Sequence, residues 1–179
     1  RHIVLTGLGA VDAKSKAIAP NALRRATAGG VRAAQRLQLA HVALAPADPK
    51  ETGCKDVDQL TREQAEGALL GAYQFTRRKT VNPEAPQAHP EQQMIQKLTV
   101  LALEAVESAC TLGQLIAESV NDARDLVFDS ANHVTPTYLK TMAESLAKQY
   151  DCLSVKVLST ADFKKLNISS LKFQAPKKT

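Results

Sequence analysis

The chain should fold as an α/β protein: a mostly parallel sheet flanked by helices, then a long linking helix, then the start of a second α/β unit. Three observations carry this expectation. Short, nearly all-apolar runs at Ile3–Thr6, His41–Ala45 and Lys97–Ala102 have the composition of strands covered on both faces, as in parallel sheets. Helical segments lie between them, so each strand–helix–strand step implies a right-handed crossover. Finally, Ala105, Ala109, Leu112, Ile116, Val120, Ala123 and Val127 recur in steps of three and four with no proline inside, the pattern of one long amphipathic helix. From Glu104 to Val127 such a helix is roughly 36 Å long, enough to cross a small domain or to join two. The chain therefore divides into residues 1–103, a linking helix and junction at 104–131, and residues 132–179.

A length of 179 residues allows one or two domains. With 44% apolar and 23% charged residues, the chain is ordinary globular material that can bury a core. No apolar run approaches the length of a membrane-spanning helix. The opening residues, Arg1-His2-Ile3-Val4-Leu5, are already strand-like, so no signal or transit peptide is visible and residues are expected to be missing ahead of them. Cys54, Cys110 and Cys152 are odd in number and form no Cys-x-x-Cys. That argues against a disulfide framework or zinc knuckle and suits a reducing intracellular compartment, the cytoplasm or an organellar matrix such as that of a mitochondrion or plastid. The net charge of +5 permits an acidic partner without requiring one.

Ile3–Thr6, followed by Gly7-Leu8-Gly9, reads as a buried strand running into a turn. The dinucleotide fingerprint is incomplete there, because Asp12 stands where its third glycine belongs. Pro20–Leu37 is the first helix, with proline in its first turn and Leu23, Ala26, Gly30, Ala33, Ala34 and Leu37 inward. Arg25, Arg32 and Arg36 form one stripe on its far side. Such a stripe is a candidate basic face for phosphates or an acidic protein, and is more often simply the solvated face of a helix. After the strand His41–Ala45 and a polar loop to Leu60, Thr61 with Gln64 matches a capping box that opens the second helix. Its inward face is Ala65, Ala68, Leu69, Ala72, Phe75 and Thr76, with Gly67 and Gly71 admitting a close neighbour. Arg77-Arg78-Lys79 near its end complement the helix dipole.

Val81–Gln93 contains Pro83, Pro86 and Pro90 and reads as a surface loop. His89 within it has no second ligand at metal spacing. Past the long helix, Thr135 caps and Pro136 starts a helix to about Tyr150, with Leu139, Ala143, Leu146 and Tyr150 inward. Leu153–Val157 alternates as a strand, Ser159 with Asp162 caps a short helix over Phe163–Leu166, and the tail 167–179 reads as mobile. One helix, one strand and a short helix cannot close a core. Leu139, Leu146, Val155 and Val157 are therefore expected to lie exposed or to lean on a partner.

Two stretches carry a family resemblance. Glu66-Gly67-Ala68-Leu69-Leu70-Gly71-Ala72-Tyr73-Gln74-Phe75, followed by Lys79-Thr80, is similar to the Glu-Gly-x-x-Leu-x-x-Tyr-x-Phe helix of the leucyl (cytosol) aminopeptidases. Asn121-Asp122-Ala123-Arg124-Asp125-Leu126-Val127, then Asn132 and Thr135-Pro136-Thr137-Tyr138-Leu139, resembles the junction of that family. There a helix ending in an Ala-Arg-Asp/Asn-Leu run leads through an Asn-containing loop and a Thr-Pro into the catalytic domain. A Val-Gly-Leu-Gly-like strand end in the family also resembles the run before Gly9. The resemblance implies that residues 1–179 are the N-terminal domain, the interdomain junction and the first elements of the catalytic domain. It gives Glu66, Gly67, Tyr73, Phe75, Ala123, Arg124, Asp125, Leu126, Asn132, Thr135 and Pro136 structural roles.

The same resemblance implies the chemistry and its place. Members of the family are metal-dependent exopeptidases whose two divalent ions, zinc or manganese, polarise the scissile carbonyl and generate a hydroxide nucleophile. The ligands come from a Lys near a Phe-Asp-Ser-Gly-Gly strand, an Asp-rich segment and an Asn-Thr-Asp-Ala-Glu-Gly-Arg run, none of which this chain contains. Phe128-Asp129-Ser130 copies three letters of the first motif, but Ala131-Asn132 replaces its glycines and the flanks place it at the junction. We expect no catalytic residue, metal ligand or cofactor within these residues. The family usually carries proline near Asp129–Ala131, and continues Gly-Met-Gly where Asn167-Ile168-Ser169 stands.

Three readings follow. The first is the non-catalytic N-terminal portion of a working aminopeptidase, serving domain packing and assembly of a homohexamer. The second is a truncated, inactive homologue kept as a structural subunit of a larger, organellar complex. The third, nucleic-acid binding through Arg25, Arg32 and Arg36, lacks aromatic interleaving: three Tyr, four Phe and no Trp are spread through the chain.

Overall fold

The computed structural model describes residues 2–14, 16–19, 21–77, 95–102, 106–159 and 162. In chain order its elements are α1 (Ala22–Arg36), β1 (His41–Leu44), α2 (Pro49–Thr52), α3 (Val57–Ala72), β2 (Lys97–Val100), α4 (Glu107–Phe128) and α5 (Pro136–Gln149). The chain separates into two compact units, Arg1–Asp129 and Ser130–Thr179. The loop expected at 81–93, His89 within it, and the short helix and tail expected from Phe163 onward lie outside the described residues.

In the first unit α3 is the central helix, packed against α1 on one side and α4 on the other. β1 and β2 pair in parallel, with His41 opposite Lys97 and Leu44 opposite Val100, so the α/β reading holds for these two strands. The expected first strand does not join them, since among the described residues the sheet is β1 and β2 alone. Residues His2, Val4, Thr6 and Leu8 line a cavity of about 250 Å³ that α1 and β1 also border, whereas Ile3 and Leu5 are 90% and 91% exposed. The alternation is that of an extended segment, but an apolar run becomes a sheet strand only when a neighbour takes up its backbone N–H and C=O groups.

Small side chains build the core of this unit. Ala22, Leu23, Ala26, Ala28, Val31 and Ala34 come from α1, Leu60, Ala65 and Ala68 from α3, and Ala109 and Ala117 from α4. Along α1 the buried face reaches further toward α3 than expected, through Thr27, Ala28, Val31 and Gln35, and Leu37 lies just past the helix, half exposed. Gly67 and Gly71 perform the role read for them. A Cβ on Gly67 would stand 2.5 Å from the Arg24 carbonyl oxygen, and one on Gly71 would stand 2.6 Å from the Ala28 Cα.

Two helix starts and one helix face differ from expectation. The second helix begins at Val57 rather than Thr61: Asp56 caps it by accepting from the Gln59 N–H at 3.0 Å. Thr61 and Gln64 are buried inside α3, and Gln64 Nε2 donates to the Ala45 carbonyl at 2.8 Å. Within the loop expected at 46–60, Asp48 caps the short α2 by accepting from Lys50 N–H. On α4 the buried positions are Ala109, Gly113 and Ala117. Of the stripe chosen by periodicity Ala109 is inside, but its larger members lie outside, with Leu112 at 45%, Val120 at 39% and Val127 at 81% exposure. The reason is steric. A Cβ on Gly113 would fall 2.6 Å from the Arg62 carbonyl oxygen, so the seam admits only the smallest side chains and turns the larger apolar ones away.

In the second unit Thr135 and Pro136 start α5 as expected, with Thr135 Oγ1 accepting from the Tyr138 N–H at 3.2 Å. Ser159 and Asp162 form the reciprocal box: Ser159 Oγ donates to the Asp162 carboxylate at 2.6 Å while accepting from the Asp162 N–H at 3.3 Å. These bonds to Ser159 lower the Asp162 pKa below its usual value. Leu153–Val157 is not a strand, because a single run of this kind needs a paired neighbour. No residue of α5 is buried, so Leu139, Leu146 and Tyr150 do not point into a core. Leu139, Leu146, Val155 and Val157 are between 41% and 50% exposed, the state expected of a unit too small to enclose them. With so little packing to support α5, its cap should matter: Thr135→Ala should destabilise the helix by about 1 kcal/mol, read as a loss of far-ultraviolet helical signal without a change in the first unit's melting.

Candidate functional site

The two family-like motifs, more than fifty residues apart, meet at the C-terminal ends of α3 and α4. Helix α3 ends at Ala72, and Tyr73 leaves it in an extended conformation. The last carbonyls of a helix lack intrahelical partners, and here side chains from the neighbouring helices take them up. Asn121 Nδ2 donates to Leu69 at 3.4 Å, Arg124 to Leu70 at 3.2 Å, and Gln35 Nε2 to Ala72 at 2.8 Å. Arg124 thus supplies the positive charge that the end of the helix favours. Of the expected Arg77-Arg78-Lys79, Arg77 does not have that role, since it lies past the helix and pairs with Asp125 Oδ2 at 2.8 Å, and Arg78 and Lys79 are outside the described residues.

Beyond the helix end the motif side chains bind one another. The Tyr73 hydroxyl donates to Asp125 Oδ1 at 2.8 Å, so Asp125 is held by a phenol and a guanidinium together. Arg124 stacks over the Tyr73 ring with its guanidinium carbon 5.4 Å from the centroid, a cation–π contact. Phe128 sits between the rings of Tyr73 and Phe75, at centroid distances of 6.4 and 6.2 Å. Desolvation, followed by the hydrogen bond to Asp125 and the charge of that carboxylate, pushes the Tyr73 pKa up to about 12, against the opposing charges of Arg124 and Arg77.

This shift has a testable sign. A phenol whose folded-state pKa is raised lends stability that is fully present below its unfolded pKa of 10.0 and is lost as pH rises through about 12. Stability relative to Tyr73→Phe should therefore be constant up to about pH 10 and fall between there and pH 12, measured by urea denaturation at a series of pH values.

The other motif residues fall elsewhere. Glu66, with its side chain 6% exposed, pairs with Arg24 at 2.7 Å and more distantly with Arg62 at 3.7 Å. A carboxylate this buried needs such a partner. Arg24, which also donates to the Asn21 carboxamide, was not legible as that partner, since it differs from the solvated Arg25 only by one step around the helix. Gly67 abuts Arg24 from below, so one α3 turn both receives α1 and holds its arginine. Ala123 is exposed and Leu126 half-buried on α4. In the second unit Asn132 is exposed in the turn closed by His133 N–H to the Ser130 carbonyl, ahead of the Thr135-Pro136 helix start. Arg25, Arg32 and Arg36 are all exposed on α1. Among the described residues no group of three or more His, Cys, Asp and Glu can hold a metal ion, and no helix is long and apolar enough to cross a membrane.

Residues 1–82 match the N-terminal domain of the cytosol aminopeptidase family. A probable cytosol aminopeptidase of Nitrosococcus oceani is 35% identical over 177 residues, covering 95% of this chain and 33% of the relative. One from Nostoc punctiforme is 32% identical over 170 residues, covering 95% and 31%. The chain thus spans about a third of the length of these relatives. Among solved structures, the bottromycin maturation enzyme BotP is similar in fold, with a TM-score of 0.67 at 24% identity over 90% of this chain and 31% of that one. The clasp between Tyr73 and Asp125 joins the region that matches the N-terminal domain of the cytosol aminopeptidase family to the helix that leaves it.

Proposed function

We propose that these residues are the non-catalytic N-terminal portion of a leucyl-aminopeptidase-type metallo-exopeptidase, and that they serve domain packing and oligomer assembly. One observation carries the reading. Tyr73, Phe75, Arg124, Asp125 and Phe128 bind one another, locking the end of α3 to α4, while large apolar side chains that the described residues leave exposed lie along α4 and α5. Leu112, Leu115, Ile116, Val120 and Val127 on α4, and Tyr138, Leu139, Met142 and Leu146 on α5, are each at least 36% exposed. Runs of exposed apolar residues at helical spacing mark surfaces that are covered in an assembly. The described residues offer no ligand set for a pair of divalent ions, so in this reading zinc or manganese is held by other parts of the enzyme. Self-association, with a homohexamer as the form that the resemblance implies, is the expected consequence. Native mass spectrometry of the purified chain should show oligomers, reduced to monomer in Leu115→Glu combined with Val120→Glu. A chain that stays monomeric at every concentration tested would overturn the assembly role.

A further inference from the structure

An open cleft of about 490 Å³ lies where α1 faces the ends of α3 and α4, bordered by Arg32 and Gln35 and by Tyr73, Phe75, Arg124 and Phe128. It shares Arg32 and Gln35 with an adjoining depression of about 360 Å³ that Arg36, Gln38 and Gln74 complete. Two kinds of chemistry converge there. Arg32 and Arg36 stand one helical turn apart, both exposed, and neither forms an ion pair with another described residue. Two guanidinium forks at that spacing can close on a single dianion, and phosphate suits their planar, bidentate donors. The second kind is aromatic: Phe128, 64% exposed, lies between Tyr73 and Phe75, leaving ring surface open to a planar π system. The nearby carboxylate of Asp125 is already engaged by Tyr73 and Arg77, so its charge is largely countered.

We propose that this cleft binds a nucleoside phosphate, with the base stacked against Phe128 and Phe75 and the phosphate held by Arg32 and Arg36. The combined space is that of a small-ligand site, and the primary amides of Gln38 and Gln74 supply donors and acceptors for a base edge. The aromatic partners for the arginine stripe, Phe75 and Phe128, were hidden in the sequence because they lie far from it, Phe75 being 39 residues beyond Arg36. The fold brings them to the same cleft. Arg25 belongs to the stripe but borders a different depression, beside Gly29 and Thr6. That separates a built site from diffuse positive charge.

The test is calorimetric titration of the whole chain with adenosine monophosphate, adenosine, inorganic phosphate and a single-stranded deoxyadenosine hexamer. Saturable binding of the monophosphate at least about tenfold tighter than adenosine or phosphate alone is expected, because base and phosphate are held together. Arg32→Gln and Phe128→Leu should each weaken it at least about tenfold, Arg32→Gln at unchanged melting temperature, and Arg25→Gln should leave it unaltered. Equal affinity for monophosphate and hexamer assigns the site to a free nucleotide, and tighter hexamer binding assigns it to the end or interior of a strand. The proposal fails if neither nucleotide probe saturates, if phosphate binds as tightly as the monophosphate, or if Arg25→Gln costs as much as Arg32→Gln.

Discussion

Supplied with zinc or manganese, purified residues 1–179 should release no leucine from a leucyl amide and should take up neither metal stoichiometrically. Two-metal hydrolysis needs several carboxylates and a lysine disposed around ions a few ångströms apart. Here the candidates are single. Asp129 is the C-cap of α4, its N–H donating to the Asp125 carbonyl at 2.9 Å. His133 is exposed in the following turn, and His89 falls in the proline-rich stretch. Even Asp129 and His133 together would give one ion two ligands, where a catalytic zinc ordinarily has three and a water. The Phe-Asp-Ser run is further explained by its phenylalanine, which packs with Tyr73 and Phe75 at the clasp. Metal-dependent turnover that vanishes in Asp129→Ala would show that this run is a site after all.

What the sequence made legible was what depends on a residue and its near neighbours. Thr135 followed by Pro136 places a helix start, and Ser159 with Asp162 a capping box, because the capping bonds close within three residues. Gly67 and Gly71 announce a close neighbour because only glycine tolerates backbone at that distance. The parallel pair β1–β2 follows from two apolar runs separated by helix. The failures share a different cause. Thr61 with Gln64 and Asp56 with Gln59 both fit a capping pattern, and the choice was made at a distance, by the Ala45 carbonyl that takes Gln64 into the core. Periodicity ranked the faces of α4 by hydrophobicity, whereas packing against α3 selected them by size, which reversed the outcome for Leu112 and Ala117. The motif residues could be named from the resemblance, but that Tyr73 reaches Asp125 and Arg124 caps α3 is tertiary information. No spacing within either motif contains it.

The α1–α3 seam offers a large effect whose sign separates packing from propensity. In a helix interior alanine is favoured over glycine by about 1 kcal/mol, so Gly→Ala in α3 should stabilise if the space around it were open. Gly71 has no such space: its Cβ would stand 2.6 Å from the Cα and 2.8 Å from the carbonyl oxygen of Ala28. Those are backbone atoms of α1, which cannot rotate aside as a side chain would, so the two helices must separate. Gly71→Ala should therefore destabilise the first unit by about 2–3 kcal/mol, in the range of overpacked cores. Gly71→Val should be worse, and Gly67→Ala similar, since its Cβ would meet the Arg24 carbonyl. Gly29 is the internal control. It lies on α1, exposed, with nothing within 4 Å of its Cβ, and Gly29→Ala should raise stability by about 0.5–1 kcal/mol. Urea denaturation of the four variants decides the matter, and stabilisation by Gly71→Ala would mean that the helices are not in backbone contact. The consequence runs beyond the seam, because Gln35 of α1 caps the Ala72 carbonyl at its end. Forcing α1 from α3 should loosen that cap and, one residue on, the anchoring of Tyr73, so Gly71→Ala should also lower the Tyr73 pKa toward its ordinary value of 10.0.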